Sequence, residues 1–187
     1  MRVISGTARG TIIHSINDIK TRPTLDRVKE SLFNIISNRI DEDTIALDLF
    51  AGSGAIGIEF LSRGAKKVYL CDKEKDTIEI IKQNLAKTKL EKNAVIINKS
   101  YEKCLQELQE KIDIIYIDPP YKMDLAIKAI EYIEKLDILK DNGIIIIETD
   151  EKDREVKELN TINSKYQIYD IRKYGRAYLI FVDGRGK

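Results

Sequence analysis

Asp118-Pro119-Pro120-Tyr121 closes one apolar run, and far upstream a glycine-rich turn, Asp48-Leu49-Phe50-Ala51-Gly52-Ser53-Gly54-Ala55-Ile56-Gly57, closes another. The first group suits methyl transfer to a planar nitrogen. An exocyclic amino group is a poor nucleophile because its lone pair is delocalised into the ring. Two acceptors on its two N–H bonds, the Asp118 carboxylate and the Pro119 carbonyl, would localise that pair and aim it at an electrophilic methyl. Pro119 and Pro120 restrict the backbone, so the acceptors are in place before substrate arrives. Tyr121 would stack on the base, an interaction worth roughly 1–3 kcal/mol, and a paired base would have to be flipped out to reach it. The alternative that needs no ligand is a strand-ending turn with an exposed tyrosine.

Gly52, Gly54 and Gly57 match the spacing GxGxxG, in which small residues allow close backbone approach and a helix N-terminus offers free N–H groups to an anion. A dinucleotide site fits that spacing, as does a tight turn with no ligand. Two acids bear on the choice. Asp48, just before the glycines, would repel a pyrophosphate and would suit the ammonium of S-adenosylmethionine. Asp72 ends the next apolar run, where a carboxylate can accept both hydrogen bonds of a ribose diol; it could equally cap the helix that follows. Phe50, Ala51 and Ser53 complete the turn, and Ser100 and Tyr101 stand at the strand end where an adenine ring would lie, or serve as an ordinary cap and core residue.

Short apolar runs alternate with segments of helical period, the pattern of a mostly parallel sheet covered on both faces. Strands are expected at 45–50, 67–72, 94–98, 112–118 and 143–149, and helices at 55–63, 74–87, 101–111 and 125–135. Residues 166–173 and 177–182 form a terminal hairpin around Tyr174-Gly175-Arg176. Thr24 is expected to cap a helix whose apolar stripe is Leu25, Val28, Leu32, Ile35 and Ile36. Residues 1–22 suit a small hairpin. The expectation is one domain over 1–187, with 1–40 an extension and 41–187 the core.

The formal net charge of the 187 residues is only +1, yet residues 1–40 and 165–187 each carry an excess of four positive charges. If the ends meet in the fold, they make a basic face suited to a polyanion; solvated ends are the simpler reading. Cys71 and Cys104 belong to no CxxC pair, so neither a metal site nor a disulfide framework is expected. No run has the length and apolarity of a signal or membrane span, which predicts a cytoplasmic protein. His14 is the only histidine, which rules out mechanisms built on a histidine pair or triad.

Taken together, these residues resemble the RsmD-type family of bacterial 16S ribosomal RNA guanine N2-methyltransferases, over essentially the whole chain. Met1-Arg2-Val3-Ile4-Ser5-Gly6 resembles the family's opening and Thr21-Arg22-Pro23-Thr24-Leu25-Asp26-Arg27-Val28-Lys29-Glu30 its most distinctive segment. Leu47-Asp48-Leu49-Phe50-Ala51-Gly52-Ser53-Gly54 and Asp118-Pro119-Pro120-Tyr121 match its cofactor and catalytic motifs. The resemblance implies a Rossmann-like class I fold with an antiparallel C-terminal strand in a seven-stranded sheet. It also implies S-adenosylmethionine as methyl donor and a reaction of the guanine(966)-N(2) type. The implied substrate is 16S rRNA within the 30S subunit or an assembly intermediate, approached by a monomer without metal. Arg22 and Arg27 are then candidates for phosphate or base contact, or for ion pairs that fix the extension. Arg2, Arg9 and Lys20 belong to the same candidate RNA-binding face. One departure is Ser100, which stands where the family usually has an acid on the adenine amino group. The other readings open at this point are a DNA or RNA adenine or cytosine N-methyltransferase and a catalytically silent RNA-binding protein.

Overall fold

The computed structural model describes residues 1–15, 23–120, 125–162 and 164–184, with backbone alone for 23–25. Seven strands form one sheet: β1 (Ile45–Asp48), β2 (Lys67–Asp72), β3 (Ala94–Asn98), β4 (Ile112–Ile117), β5 (Leu139–Thr149), β6 (Gln167–Tyr174) and β7 (Ala177–Asp183). Their spatial order is β3-β2-β1-β4-β5-β7-β6. Pairing is parallel from β3 to β5, and β7 runs antiparallel to both its neighbours. The order therefore reverses between β1 and β4, which opens a crevice at their carboxyl ends.

Alternation along the strands divides the core into two layers. Ala46, Ile114, Ile144 and Ile146 face one side, where α1 (Pro23–Ile35), α2 (Ala55–Ser62) and α3 (Lys75–Thr88) pack. Leu47, Ile115, Ile145 and Ile147 face the other, under α4 (Tyr101–Glu107), α5 (Leu125–Lys135) and α6 (Lys152–Thr161). Strands buried on both faces read as continuous apolar runs, which is why the sequence located them closely. Among the described residues no helix is long and apolar enough to cross a membrane.

Several expectations are corrected. The helix starts at Pro23, so Thr24 lies inside its first turn and does not cap it; proline suits that first position because its missing N–H would have had no helical partner. Phe33 is buried in its stripe, whereas Ile35 is 37% exposed at the helix end. α4 stops at Glu107. β5 begins at Leu139, earlier than expected, because Leu139 pairs with Ile112 before an irregularity brings Ile144 opposite Ile114. Its Lys140-Asp141-Asn142 reads as a loop. α6 was missed altogether, since Glu155 and Leu159 are its only buried residues and leave almost no apolar stripe.

The N-terminal segment forms the expected small hairpin: Arg2 bridges Ile12, and the Val3 amide donates to the Thr11 carbonyl at 3.0 Å. Val3, Ala8 and Ile13 enter the same apolar layer as α1 and α2. Consequently α2 is covered on both sides, and every residue except Ile56 is buried. Glu59, 0% exposed, is the anchor. Its carboxylate accepts the amides of Ile4 at 2.8 Å and Ser5 at 2.9 Å, and pairs with Arg63 at 2.9 Å and Lys29 at 3.5 Å. Lys29 also donates to the Arg2 carbonyl at 2.6 Å, so one cluster ties the N-terminus, α1 and α2 together. Desolvation lowers the Lys29 pKa from its ordinary value, and the neighbouring Glu59 opposes that shift.

Removing one partner of a buried ion pair strands the other, at a typical cost of about 3–5 kcal/mol. Glu59→Ala is therefore expected to lower unfolding free energy by about that amount in urea titrations, with Glu59→Gln intermediate. A midpoint unchanged from the parent would show that the anchor contributes nothing.

Candidate active site

The crevice at the β1–β4 switch point is a cleft of about 650 Å³. One wall is the glycine turn. Gly52 and Gly54 hold φ of 52° and 78°, the left-handed region that disfavours side chains. Gly54 forms the N-cap of α2, and the Ala51 amide donates to the Cys71 carbonyl at 2.8 Å, holding the turn against β2. Gly57 has a different function: a Cβ there would sit 2.6 Å from a Leu70 methyl, so only glycine lets α2 lie this close to β2. That is the third position of the fingerprint acting in helix–sheet packing.

Asp72 joins this turn to the next helix. One carboxylate oxygen accepts the Gly52 amide at 3.1 Å and the other the Glu74 amide at 2.9 Å. Asp72 is not the cap of α3, which is Glu74; it braces the residue before that helix and also lines the cleft, where the ribose role remains open to it. Each oxygen keeps a second lone pair for a ligand hydroxyl. Phe50, Ser100 and Tyr101 line the opposite side. Ser100 is the N-cap residue of α4. The Tyr101 ring, only 9% exposed, lies 5.7 Å from Phe50 and 6.2 Å from Tyr132, and burial pushes its hydroxyl up to about 12.

Asp48 sits beneath the turn rather than on the cleft surface. It is 1% exposed, and its Oδ2 accepts the Gly57 amide at 3.0 Å. Burial raises its pKa to about 7, with the Gly57 hydrogen bond opposing and Asp72 adding to the rise. Asp118, Pro119 and Pro120 line the cleft from the end of β4. Tyr121 lies outside the described residues.

The acid-rich character of this edge was not anticipated. Ile117 pairs with Ile147, so Asp118 and Glu148 leave adjacent parallel strands side by side. The Tyr116 hydroxyl donates to Glu148. Asp118 is an exposed residue at the mouth of the cleft; the protein packed around its carboxyl raises the pKa above its ordinary value, and the neighbouring Glu148, Asp48 and Asp150 push it the same way. Glu148 is raised by burial, against the hydrogen bond from Tyr116. The signal for Asp118 is the whole Asp-Pro-Pro-Tyr turn; Glu148 lies within the expected strand 143–149 and carries no such motif. Among the described residues no cluster of His, Cys, Asp and Glu could hold a metal ion.

Arg2 and Arg9 are exposed on the N-terminal hairpin and Arg27 on α1, while Lys20 and Arg22 lie outside the described residues. Cys71 and Cys104, distant in sequence, are neighbours in the core, both reduced; the Cys71 thiol donates to the Lys99 carbonyl at 3.5 Å, and the proximity of Cys104 together with burial raises its pKa.

Asp48 binds its proton more tightly folded than unfolded, so the native state holds the extra proton between about pH 4 and pH 7 and stability falls as pH rises through that window. Asp48→Asn keeps an acceptor for the Gly57 amide without the buried charge. Near pH 8 its urea midpoint should exceed the parent's, by roughly 2–4 kcal/mol in stability, and the gain should vanish by about pH 4. A pH-independent difference would refute the buried-acid assignment.

The profile of the family described as conserved hypothetical protein 95 matches residues 1–183. A Haemophilus influenzae protein named ribosomal RNA small subunit methyltransferase D is 37% identical over 181 residues, covering 90% of this chain and 93% of its own. The Escherichia coli protein of the same name is 34% identical over 150 residues, covering 80% and 75%. The solved structure of the yhhF protein of E. coli superposes with a TM-score of 0.84 at 28% identity, covering 100% of this chain and 99% of that one.

Proposed function

Because the chain belongs to the family described as conserved hypothetical protein 95, the RsmD family, we propose that it is an rRNA methyltransferase. In this reading it transfers the methyl group of S-adenosylmethionine to the exocyclic N2 of a guanine in 16S rRNA. The observation that carries the proposal is that Asp118 and the Gly52–Asp72 pair open into one cleft. That cleft has the size of ordinary cofactor sites, with an apolar side at Phe50 and Tyr101 and a carboxylate at Asp72 suited to a ribose diol. Bound there, S-adenosylmethionine supplies a methyl on a positively charged sulfur.

Asp118 accepts one N–H of the guanine amino group and holds the nitrogen lone pair toward that methyl. Attack on that methyl would form the N–C bond as the S–C bond breaks, and Asp118, beside Glu148, would take the proton that the nitrogen then loses. The surrounding protein and the crowding of acids raise the Asp118 pKa, whereas taking up a proton requires it ionised; a positively charged methyl donor bound in the cleft would lower that pKa again. Positioning and preorganised electrostatics supply the catalysis, with no covalent enzyme intermediate. The exposed Arg2, Arg9 and Arg27, together with Lys20 and Arg22, would contact RNA of the 30S particle, with the protein acting as a cytoplasmic monomer.

Purified Asp118→Ala should bind S-adenosylmethionine within about twofold of the parent yet lose on the order of 100-fold or more in single-turnover rate on 30S particles. Asp72→Ala should instead weaken cofactor binding by roughly 10–100-fold, the worth of hydrogen bonds to a charged group. Nucleoside mass spectrometry should find N2-methylguanosine. Methyladenosine or methylcytosine in its place, or no cofactor binding at all, would sink the proposal.

A further inference from the structure

Asn84 lies on α3, 0% exposed, and does not line the cleft, yet it makes three hydrogen bonds to backbone groups of two distant segments. Its Oδ1 accepts the His14 amide at 2.7 Å, and its Nδ2 donates to the His14 carbonyl at 3.0 Å and to the Ser53 carbonyl at 2.8 Å. Both amide hydrogens and the carbonyl oxygen are thus committed. Ser53 sits between Gly52 and Gly54, both in left-handed conformation. The peptide plane that carries its carbonyl also carries the Gly54 amide, which donates to the Ala51 carbonyl at 2.7 Å. Glycine-flanked peptide planes reorient at low cost, so Asn84 and Ala51 between them fix how the turn faces the cleft. The other two bonds clamp His14, at the end of the N-terminal hairpin, as a neighbouring strand would.

We propose that Asn84 is a positioning residue that couples cofactor binding at the glycine turn to the placement of the N-terminal hairpin, and through it to RNA binding. The RNA part rests on the function proposed above. No other side chain of similar size substitutes: aspartate lacks the donors and would set a charge against two carbonyls, while leucine has the volume without any polar atom. Ordering the turn orders Asn84, and the ordered Asn84 completes a site for His14. Coupling of this kind is reciprocal, so RNA bound to the extension tightens cofactor binding by the same factor.

Two measurements test this. In hydrogen exchange on the parent protein alone, S-adenosylhomocysteine should slow exchange of the peptide covering residues 11–15 by about 5-fold or more, although Thr11 to Ser15 line no part of the cleft. Calorimetry should show S-adenosylhomocysteine binding at least about 5-fold tighter with 30S particles present than absent, and Asn84→Leu should bring that ratio close to one. A purely structural role would lower the melting temperature of Asn84→Leu and leave the ratio intact, which would overturn the proposal. So would a parent protein that binds S-adenosylhomocysteine with no protection of residues 11–15. Should Asn84→Leu not fold, Asn84→Ser takes its place in the calorimetry, and the exchange result on the parent decides independently. Protection of residues 11–15 in a protein that fails to bind 30S particles would sustain the coupling and reject the RNA reading.

Discussion

The close approach of α2 to β2 is the constraint on which both ends of the site depend. No side chain fits at position 57, because a Cβ would meet Leu70 at 2.6 Å. At this separation Asp48 reaches the Gly57 amide and fixes the first turn of α2, and the glycine turn follows from where that helix begins. The other face of the same helix receives the N-terminal hairpin. Ser62 accepts the Thr7 amide at its carbonyl and the Ala8 amide at its hydroxyl, while Glu59 takes Ile4 and Ser5. Gly6 repeats the logic of Gly57, since a Cβ there would lie 1.7 Å from the Ser62 carbonyl oxygen. Two glycines therefore set the spacing of three layers: strand, helix and extension.

The sheet was legible because its strands are buried on both faces, which makes hydrophobicity alone diagnostic: β2 and β3 match the expected limits to the residue. Legibility failed where burial and composition part company. α6 buries a glutamate and one leucine, and the opening of β5 carries Lys140, Asp141 and Asn142 through a local irregularity. At the site, the sequence identified residues that act through local spacing, such as Gly52, Gly54 and Asp72. It named Arg27, which is exposed, but gave no role to Lys29 two positions away, which is buried in the Glu59 cluster. Nor could it show that Asn84 meets His14 and Ser53, or that Tyr116 meets Glu148, because those partners are brought together only by the fold.

Asp48 illustrates how one residue type carries two meanings. From the sequence its value lay in a charge opposed to a ligand ammonium. In the fold it is a buried acceptor whose own charge is disfavoured, because water is excluded and Asp72 is near. A cation above the turn would reverse that balance and favour the carboxylate. Asp118, which is exposed, and Glu148, which is half-buried, differ from Asp48 in their access to water and share with it only the repulsion of neighbouring acids. Neighbouring like charge therefore disfavours ionisation of Asp118, and a positive charge nearby would favour the carboxylate.

Where these carboxyls are ionised, they repel phosphate. In the proposed reaction only an uncharged base, not its backbone, can approach Asp118 without electrostatic penalty, so attraction to RNA has to come from elsewhere on the molecule. The charge distribution fits: both ends of the chain carry excess positive charge while the centre is acidic, although the whole is nearly neutral. The N-terminal hairpin packs on one layer through Val3, Ala8 and Ile13, whereas the terminal hairpin contributes to both, with Leu179 and Phe181 on that side and Tyr166, Ile180 and Val182 on the other. Phosphates held by the N-terminal cations, with one base reaching into the cleft, would satisfy both requirements of the proposed reaction. Uniformly basic surroundings would draw phosphate into the cleft and leave the base outside. Under the proposed function, separating attraction from chemistry in this way would suit a flipped-out or single-stranded nucleotide.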